Sequence, residues 1–406
     1  MNREKRLKIL LVALLVGNLN QAFAQSIEKI RQELFQSGFE NLRLIRTEGK
    51  LILCLENISY RWQVLAIAES LDKITISLSE PDNLEVIILE KGIPKLLIRV
   101  SAEDWRSFRN GNLPDQDFSS RLSVSSSLGD TWEKIKLIEA ENRSAGKFDI
   151  IVYPQFAFKN TLLKKLYEVQ VNVAPAIELS LWKGMNFTGQ VIFPIINELG
   201  YEGGFIRPGY VTLSQEFRLP HQWFGRATLG NFNETRYGAN FSLKHPFQNE
   251  KWSFELNAGL TGSSHFFDNK WTKSNLNTVT WSSSISYFYP HFNLEFKAGA
   301  AQYIYNDLGL FTSCTRYFGE TAFGFYAMLG EKNTNGGFHL TIPFPIKKRG
   351  SRKVFRLSIP EHYEMSYDAG TEFFYGQSFR TRPDQNRIND NNFPGYLKNE
   401  LIHLKK

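Results

Sequence analysis

Six stretches of this chain alternate apolar and polar residues with a period of two, and that pattern limits the fold more than any other feature. Val169, Val171, Val173, Ile177, Leu179 and Leu181 share one parity, interrupted only by Pro175, while Gln170, Asn172, Glu178 and Ser180 hold the other. Val211, Leu213, Phe217 and Leu219 oppose Thr212, Ser214, Glu216 and Arg218 in the same way. So do Tyr237, Ala239, Phe241 and Leu243 against Arg236, Asn240, Ser242 and Lys244, and Phe254 to Leu260 against Glu255, Asn257 and Thr261. Phe292 to Ala300 and Phe338 to Phe344 complete the set. Successive strand side chains point to opposite faces, so each stretch is a strand with one apolar and one polar face.

Further strand candidates run Phe148 to Phe158, Met185 to Ile196, Trp223 to Phe232, Val279 to Tyr289, Leu308 to Tyr317, Ala322 to Gly330, Val354 to Tyr367 and Phe373 to Arg380. Together they make about a dozen strands or slightly more, many near the roughly nine to eleven residues of a tilted membrane strand. A soluble sandwich also alternates, but its strands average about five or six residues. Aromatics gather near strand ends, at Trp182, Trp223, Trp252, Trp281, Tyr287, Phe288 and Tyr289, where an interfacial girdle belongs. The fold expected is mainly β: an antiparallel transmembrane β-barrel of about 12–14 strands, with twelve or fourteen the natural even count, behind a small N-terminal α/β periplasmic module.

With the apolar parity toward lipid, the lumen receives Glu178, Glu216, Arg218, Arg226, Arg236, Lys244, Glu255, Glu295, Lys297 and Arg356. These charges either line a pore for a hydrophilic, anionic substrate or pair across strands and seal the interior. Opposite signs adjacent in sequence, Glu216 with Arg218 and Glu295 with Lys297, favour internal pairing.

The chain before the barrel is of another kind. Arg3, Lys5, Arg6 and Lys8 precede an apolar run, Ile9 to Val16, and Ala22-Phe23-Ala24 comes next, the layout of a secretory signal over residues 1–24. Residues 25–110 mix periods: Ile27, Ile30, Leu34 and Phe35 recur at helical spacing, then come hairpins about Gly49 and about Lys91-Gly92-Ile93-Pro94, with a helix from Arg61 to about Leu71 between them. This reads as a periplasmic α/β module. Residues 111–147, crowded with serine, read as a linker or extended segment. The barrel is expected over 148–383, and 384–406 as a tail.

Composition agrees with export to a bacterial outer membrane. Mean hydropathy is −0.31, yet 14% of the 406 residues are aromatic, including 33 Phe and 16 Tyr. That is how alternation and girdles look in bulk. The formal charge of +7 invites an anionic partner, and export removes nucleic acid from consideration. Cys54 and Cys314 fall in different regions, so neither a disulfide nor a metal site is expected. No Gly-x-Ser-x-Gly elbow, His-Glu-x-x-His helix or phosphate-binding loop occurs, so no enzyme activity or cofactor is expected. His221, His245, His291 and His362 neighbour aromatics or prolines, as turn and girdle residues do.

The runs Trp182-Lys183-Gly184-Met185, Gln190-Val191-Ile192-Phe193-Pro194, Arg207-Pro208-Gly209-Tyr210 through Gln215, Gly230-Asn231-Phe232 and Arg236-Tyr237-Gly238 resemble the YjbH-type exopolysaccharide-biosynthesis outer-membrane proteins in a Bacteroidetes-like form. Gly38-Phe39-Glu40-Asn41 and the Gly92-Ile93-Pro94 hairpin extend the resemblance to the module. It implies a barrel in lipid that assists export or assembly of exopolysaccharide or capsule, with polysaccharide or export components of the envelope as partners. A porin and a plugged barrel serving as an anchor are the alternatives. Larger relatives carry more barrel sequence, so a single barrel is expected here.

Overall fold

The computed structural model describes residues 25–47, 49–78, 83–160, 167–331, 334–369, 376–384 and 392–404. The expected signal at 1–24 lies outside the described residues, as do the first residues of the strand candidate at 373–380 and parts of the expected tail.

The module opens with helix α1 (25–36), then β1 (Glu40–Thr47) and β2 (Lys50–Glu56), helix α2 (Gln63–Ser77), and β3 (Asn83–Glu90) with β4 (Ile93–Ser101). β2 and β3 run parallel, which requires a crossover, and α2 supplies it. From Leu51 to Glu56 and from Leu84 to Leu89 every residue is buried, as happens when both faces of a sheet are covered. α2 and α3 (Ala102–Arg109) cover one face, with Trp105 and Phe118 in that core.

The other face corrects an expectation. Residues 111–147 are no linker: they fold into α4 (Asp115–Arg121), β5 (Ser123–Ser125), which adds to β4 as the fifth strand, and α5 (Thr131–Ile135). Leu128 and Ile135 close over Ile52, Cys54, Ile87, Leu89 and Leu97. The serines sit between these few apolar anchors and mask them in the composition.

A second sheet then meanders through β6 (Phe148–Asn160), β7 (Tyr167–Trp182), β8 (Met185–Asn197), β9 (Arg207–Arg218), β10 (Phe224–Asn231), β11 (Arg236–Pro246) and β12 (Trp252–Phe267). It continues with β14 (Thr278–Tyr289), β15 (Leu294–Gln302), β16 (Leu308–Phe318), β17 (Thr321–Gly330) and β18 (Thr334–Pro343), each antiparallel to the last. The four-residue β13 (Lys270–Lys273) pairs only with β12, as a projecting hairpin.

The last segment brings the two edges of this sheet together. β19 (Phe355–Ser358) pairs parallel with β6, and three residues later β20 (His362–Asp368) pairs antiparallel with β18. Phe156 of β6 meets Tyr363 of β20 with ring centroids 5.9 Å apart, and Phe158 meets Tyr367 at 6.4 Å. β19 and β20 together therefore fill one strand position between β18 and β6. Twelve strands precede it, so among the described residues the wall has thirteen positions. The even count expected is corrected: first and last strands of this meander lie parallel.

The two faces are as the alternation requires. Ile177, Leu213, Phe241, Leu256, Leu310 and Phe325 point out and are exposed, while Thr188, Ser214, Thr228, Thr261, Ser284 and Thr341 point in and are buried. Phe288, expected in the girdle, has the inward parity and is 1% exposed. No described helix is long and apolar enough to cross a membrane.

The chain beyond β20 is not a free tail, and 376–380 form no strand. Residues 376–384 run inside the barrel, and helix α6 (Pro394–His403) seats Tyr396, Leu397 and Leu401 in the same core as the module's Val64 and Ile67 and the wall's Phe288, Tyr317 and Ala322. One apolar core thus joins module, helix and barrel. The turns at Lys183-Gly184, at 219–223 and at 318–320 lie at this module end of the barrel.

Candidate functional site

The features that decide what the barrel can do converge at its module end, on Glu216. Its carboxylate is 1% exposed, on the inner face of β9, and is met by Arg226 at 2.5 Å, Lys95 at 3.0 Å, Lys91 at 3.5 Å and Arg382 at 4.0 Å. Arg226 belongs to the wall, the lysines to the module and Arg382 to the segment inside the lumen. Three parts of the chain meet on one acid.

The β3–β4 hairpin brings the lysines there. Lys91 and Gly92 both have positive φ, 50° and 74°, the two-residue turn whose twist matches the strands. Glu56 caps it, accepting the Lys91 amide at 2.6 Å and the Gly92 amide at 3.1 Å. Gly184, in the β7–β8 turn, donates to the Lys91 carbonyl at 2.7 Å. Gly184 has φ +78°, and a Cβ there would stand 2.2 Å from the Glu216 carbonyl oxygen, so glycine alone fits. Arg218 lies under Phe224 and donates to the carbonyls of Pro94 at 2.9 Å and Ser126 at 2.5 Å.

Further pairs fix the module around the rim. Arg352 bridges Glu40 and Asp149, and Asp149 also accepts from Arg356, whose guanidinium reaches the Ile58 carbonyl. Arg61 forks onto Glu320 at 2.5 and 2.6 Å and donates to the Phe344 carbonyl. Main-chain bonds join Arg61 to Lys347 and Arg349 to Ser59. His362, expected as a turn or girdle residue, is partly buried beside Glu320.

The lumen itself is occupied. Gly376 donates to Asp307 at 3.1 Å near the far end, and the Gln377 carbonyl accepts from Ile304. Phe379 stacks on Phe232 with centroids 5.1 Å apart and planes 4° from parallel, against Gly259, where a Cβ would stand 2.8 Å from the ring. Arg380 forks onto Glu364 of β20 at 3.1 and 2.9 Å, and Arg382 arrives at Glu216. Asn392 then bonds Glu90 at 3.0 Å, and Phe393 leads into α6.

All ten charges named from the sequence carry the inward parity, but the partners suggested by adjacency are wrong. Glu216 takes Arg226 and two module lysines, leaving Arg218 to the module's carbonyls. Lys297 and Lys244 both pair with Glu255, and Glu295 accepts from Tyr317. Glu178 accepts from Tyr153 at 2.8 Å, and Arg236 donates to Thr261 at 3.0 Å. Residues two apart on a strand share a face, but a neighbouring strand is nearer than the next residue on that face. Lys91, Lys95, Glu40, Glu56, Asp149 and Arg382 are not singled out by the alternation. A lysine on each side of a Gly turn was the one available signal.

No protein-family model matches the sequence, and no curated protein is similar to it. A solved structure of the loop L8 deletion mutant of OmpT, an outer membrane protein of Vibrio cholerae, is similar at 6% identity and a TM-score of 0.27, over 48% of this chain and 85% of that one. A likeness of that size carries no argument about function.

Proposed function

We propose that the protein is a closed outer-membrane barrel that holds a periplasmic module rigidly at its inner mouth, where it serves export or assembly of a surface polysaccharide. The single observation that carries the closed state is the course of residues 376–384 through the lumen, tied at Asp307, Glu364 and Glu216. The paired charges at the module end agree with it.

The membrane reading rests on the outer face. Fully burying a Leu or Phe is worth about 1.5–3 kcal/mol. A belt of ten or more such side chains left half in water would forgo roughly 10 kcal/mol or more, comparable to the whole net stability of a domain. Lipid removes that cost. The turns at 183–184, 219–223, 247–251, 290–293 and 319–320 are short, as on the periplasmic side of outer-membrane barrels, and this supports a periplasmic module. The polysaccharide assignment rests on the YjbH-type resemblance, with export components of the envelope as partners.

Two measurements test the proposal. Purified protein in planar bilayers should show no steady conductance, and a gene deletion should lower surface polysaccharide while general permeability stays the same. Steady open channels together with normal polysaccharide would overturn it in favour of a diffusion pore.

A further inference from the structure

We propose that the barrel wall parts sideways between β6 and β20, giving an amphiphile with a polar head and a hydrocarbon tail a path between lumen and lipid. The proposal rests on the membrane reading above and adds a route and a substrate class to it.

β6 pairs with β7 along its whole length, from Phe148 to Asn160, but on its other edge only with β19, from Phe148 to Ile151. Beyond Ile151 no strand pairs with that edge among the described residues, and β20 pairs with β18 alone. Elsewhere each strand of the ring is laddered on both sides. Across this gap the contacts are aromatic: Phe156 to Tyr363 and Phe158 to Tyr367. In hydrocarbon an open backbone edge is costly, because nothing there can bond to it. A seam held by rings is the weakest line in such a wall.

One local feature agrees. From Phe156 to Asn160 every β6 residue is exposed, whichever way it points.

The two sides of the seam differ in polarity. Outward lie Phe156, Phe158, Tyr363 and Tyr367; inward lie Gln155, bonded by Asn172, and Glu364. An amphiphile lying across the gap meets polar groups at its head and rings and lipid along its tail. Glu364 is also where Arg380 anchors the lumenal segment, so releasing that fork frees the seam strand and the space behind it together.

The test uses the full chain in vesicles of phosphatidylethanolamine, phosphatidylglycerol and lipopolysaccharide. A photo-reactive residue at Gln155, beside the seam, should form adducts with lipid or lipopolysaccharide, and one at Asn257, on the inner face of β12, should not. In a background without Cys54 and Cys314, the substitutions Phe156→Cys and Tyr363→Cys should form a disulfide that cuts the adduct about ten-fold, reversed by reduction. Hydrogen exchange on unaltered protein provides a second reading: amides of 152–160 should exchange about ten-fold or more faster than those of β11. No adduct at Gln155, an adduct indifferent to the disulfide, a disulfide that never forms, or equal amide protection would each overturn the seam. Protein stripped from the vesicles by alkaline carbonate would instead overturn the membrane reading beneath it.

Discussion

Arg352 closes a two-pronged ion pair on Glu40, at 3.1 and 2.9 Å, across 312 residues of chain. Glu40 opens the module's first strand and is 0% exposed, and Arg352 lies in the basic stretch before β19. Removing Arg352 leaves the buried Glu40 with Lys147 alone, at 3.0 Å, and breaking a buried pair costs up to about 3–5 kcal/mol. Arg352→Ala should lower stability by that order in chemical denaturation and loosen the module toward protease. Replacing both residues by Met should cost less than Arg352→Ala alone.

Glu56 makes the module sensitive to pH. Burial pushes its carboxyl above the ordinary 4.5, and nearby Glu40 adds to the rise against the bonds from Asn41 and the Lys91 and Gly92 amides. A raised folded value means the fold favours the protonated form. Its contribution is complete below about pH 4.5 and is lost as pH rises through the folded value. Glu56→Gln should flatten this decline in melting curves taken from pH 4 upward; an unchanged slope would assign the decline elsewhere.

The thiols offer a test of the module's second layer. Cys54 is buried beneath α5, and burial pushes it up to about 12, so little thiolate exists at pH 8. Native protein should leave Cys54 unlabelled by maleimide, and denatured protein should label at both Cys54 and Cys314. Trimming Ile135 to Ala should let reagent reach Cys54 without unfolding the rest.

At Glu216 four cations share one carboxylate, so neutralising it leaves them crowded in a buried site. Glu216→Gln should destabilise the docked hairpin by about 3 kcal/mol or more. Adding Lys95→Met should recover part of that loss, because it removes one of the four crowded charges. Full additivity of the two changes in a double-mutant cycle would refute the shared node.

Alternation is a local property, so the two faces of the wall were legible in the sequence itself. Partner choice was not. Arg218 and Lys297 turn away from the acids two residues along, because contacts on a sheet run across strands and, here, to the module's hairpin. In the described part of the candidate strand at 373–380, residues 376–380, no strand forms for a related reason: Phe379 is spent on Phe232 and Arg380 on Glu364 inside the ring. The serine-rich stretch hid two apolar anchors, Leu128 and Ile135, whose importance comes from the sheet face they cover.

The thirteen-position ring has a topological consequence. A meander with an even number of passes returns its chain to the side it started from, whereas an odd one leaves it on the opposite side. Here the chain enters β6 beside the module and leaves β20 at the far rim, yet α6 docks back on the module. The return leg has to cross the full height of the wall, and the course open to a polar, arginine-bearing segment is the interior. The occupied lumen is thus written into the number of strands: adding or deleting one pass would leave α6 on its own side and the bore without its thread.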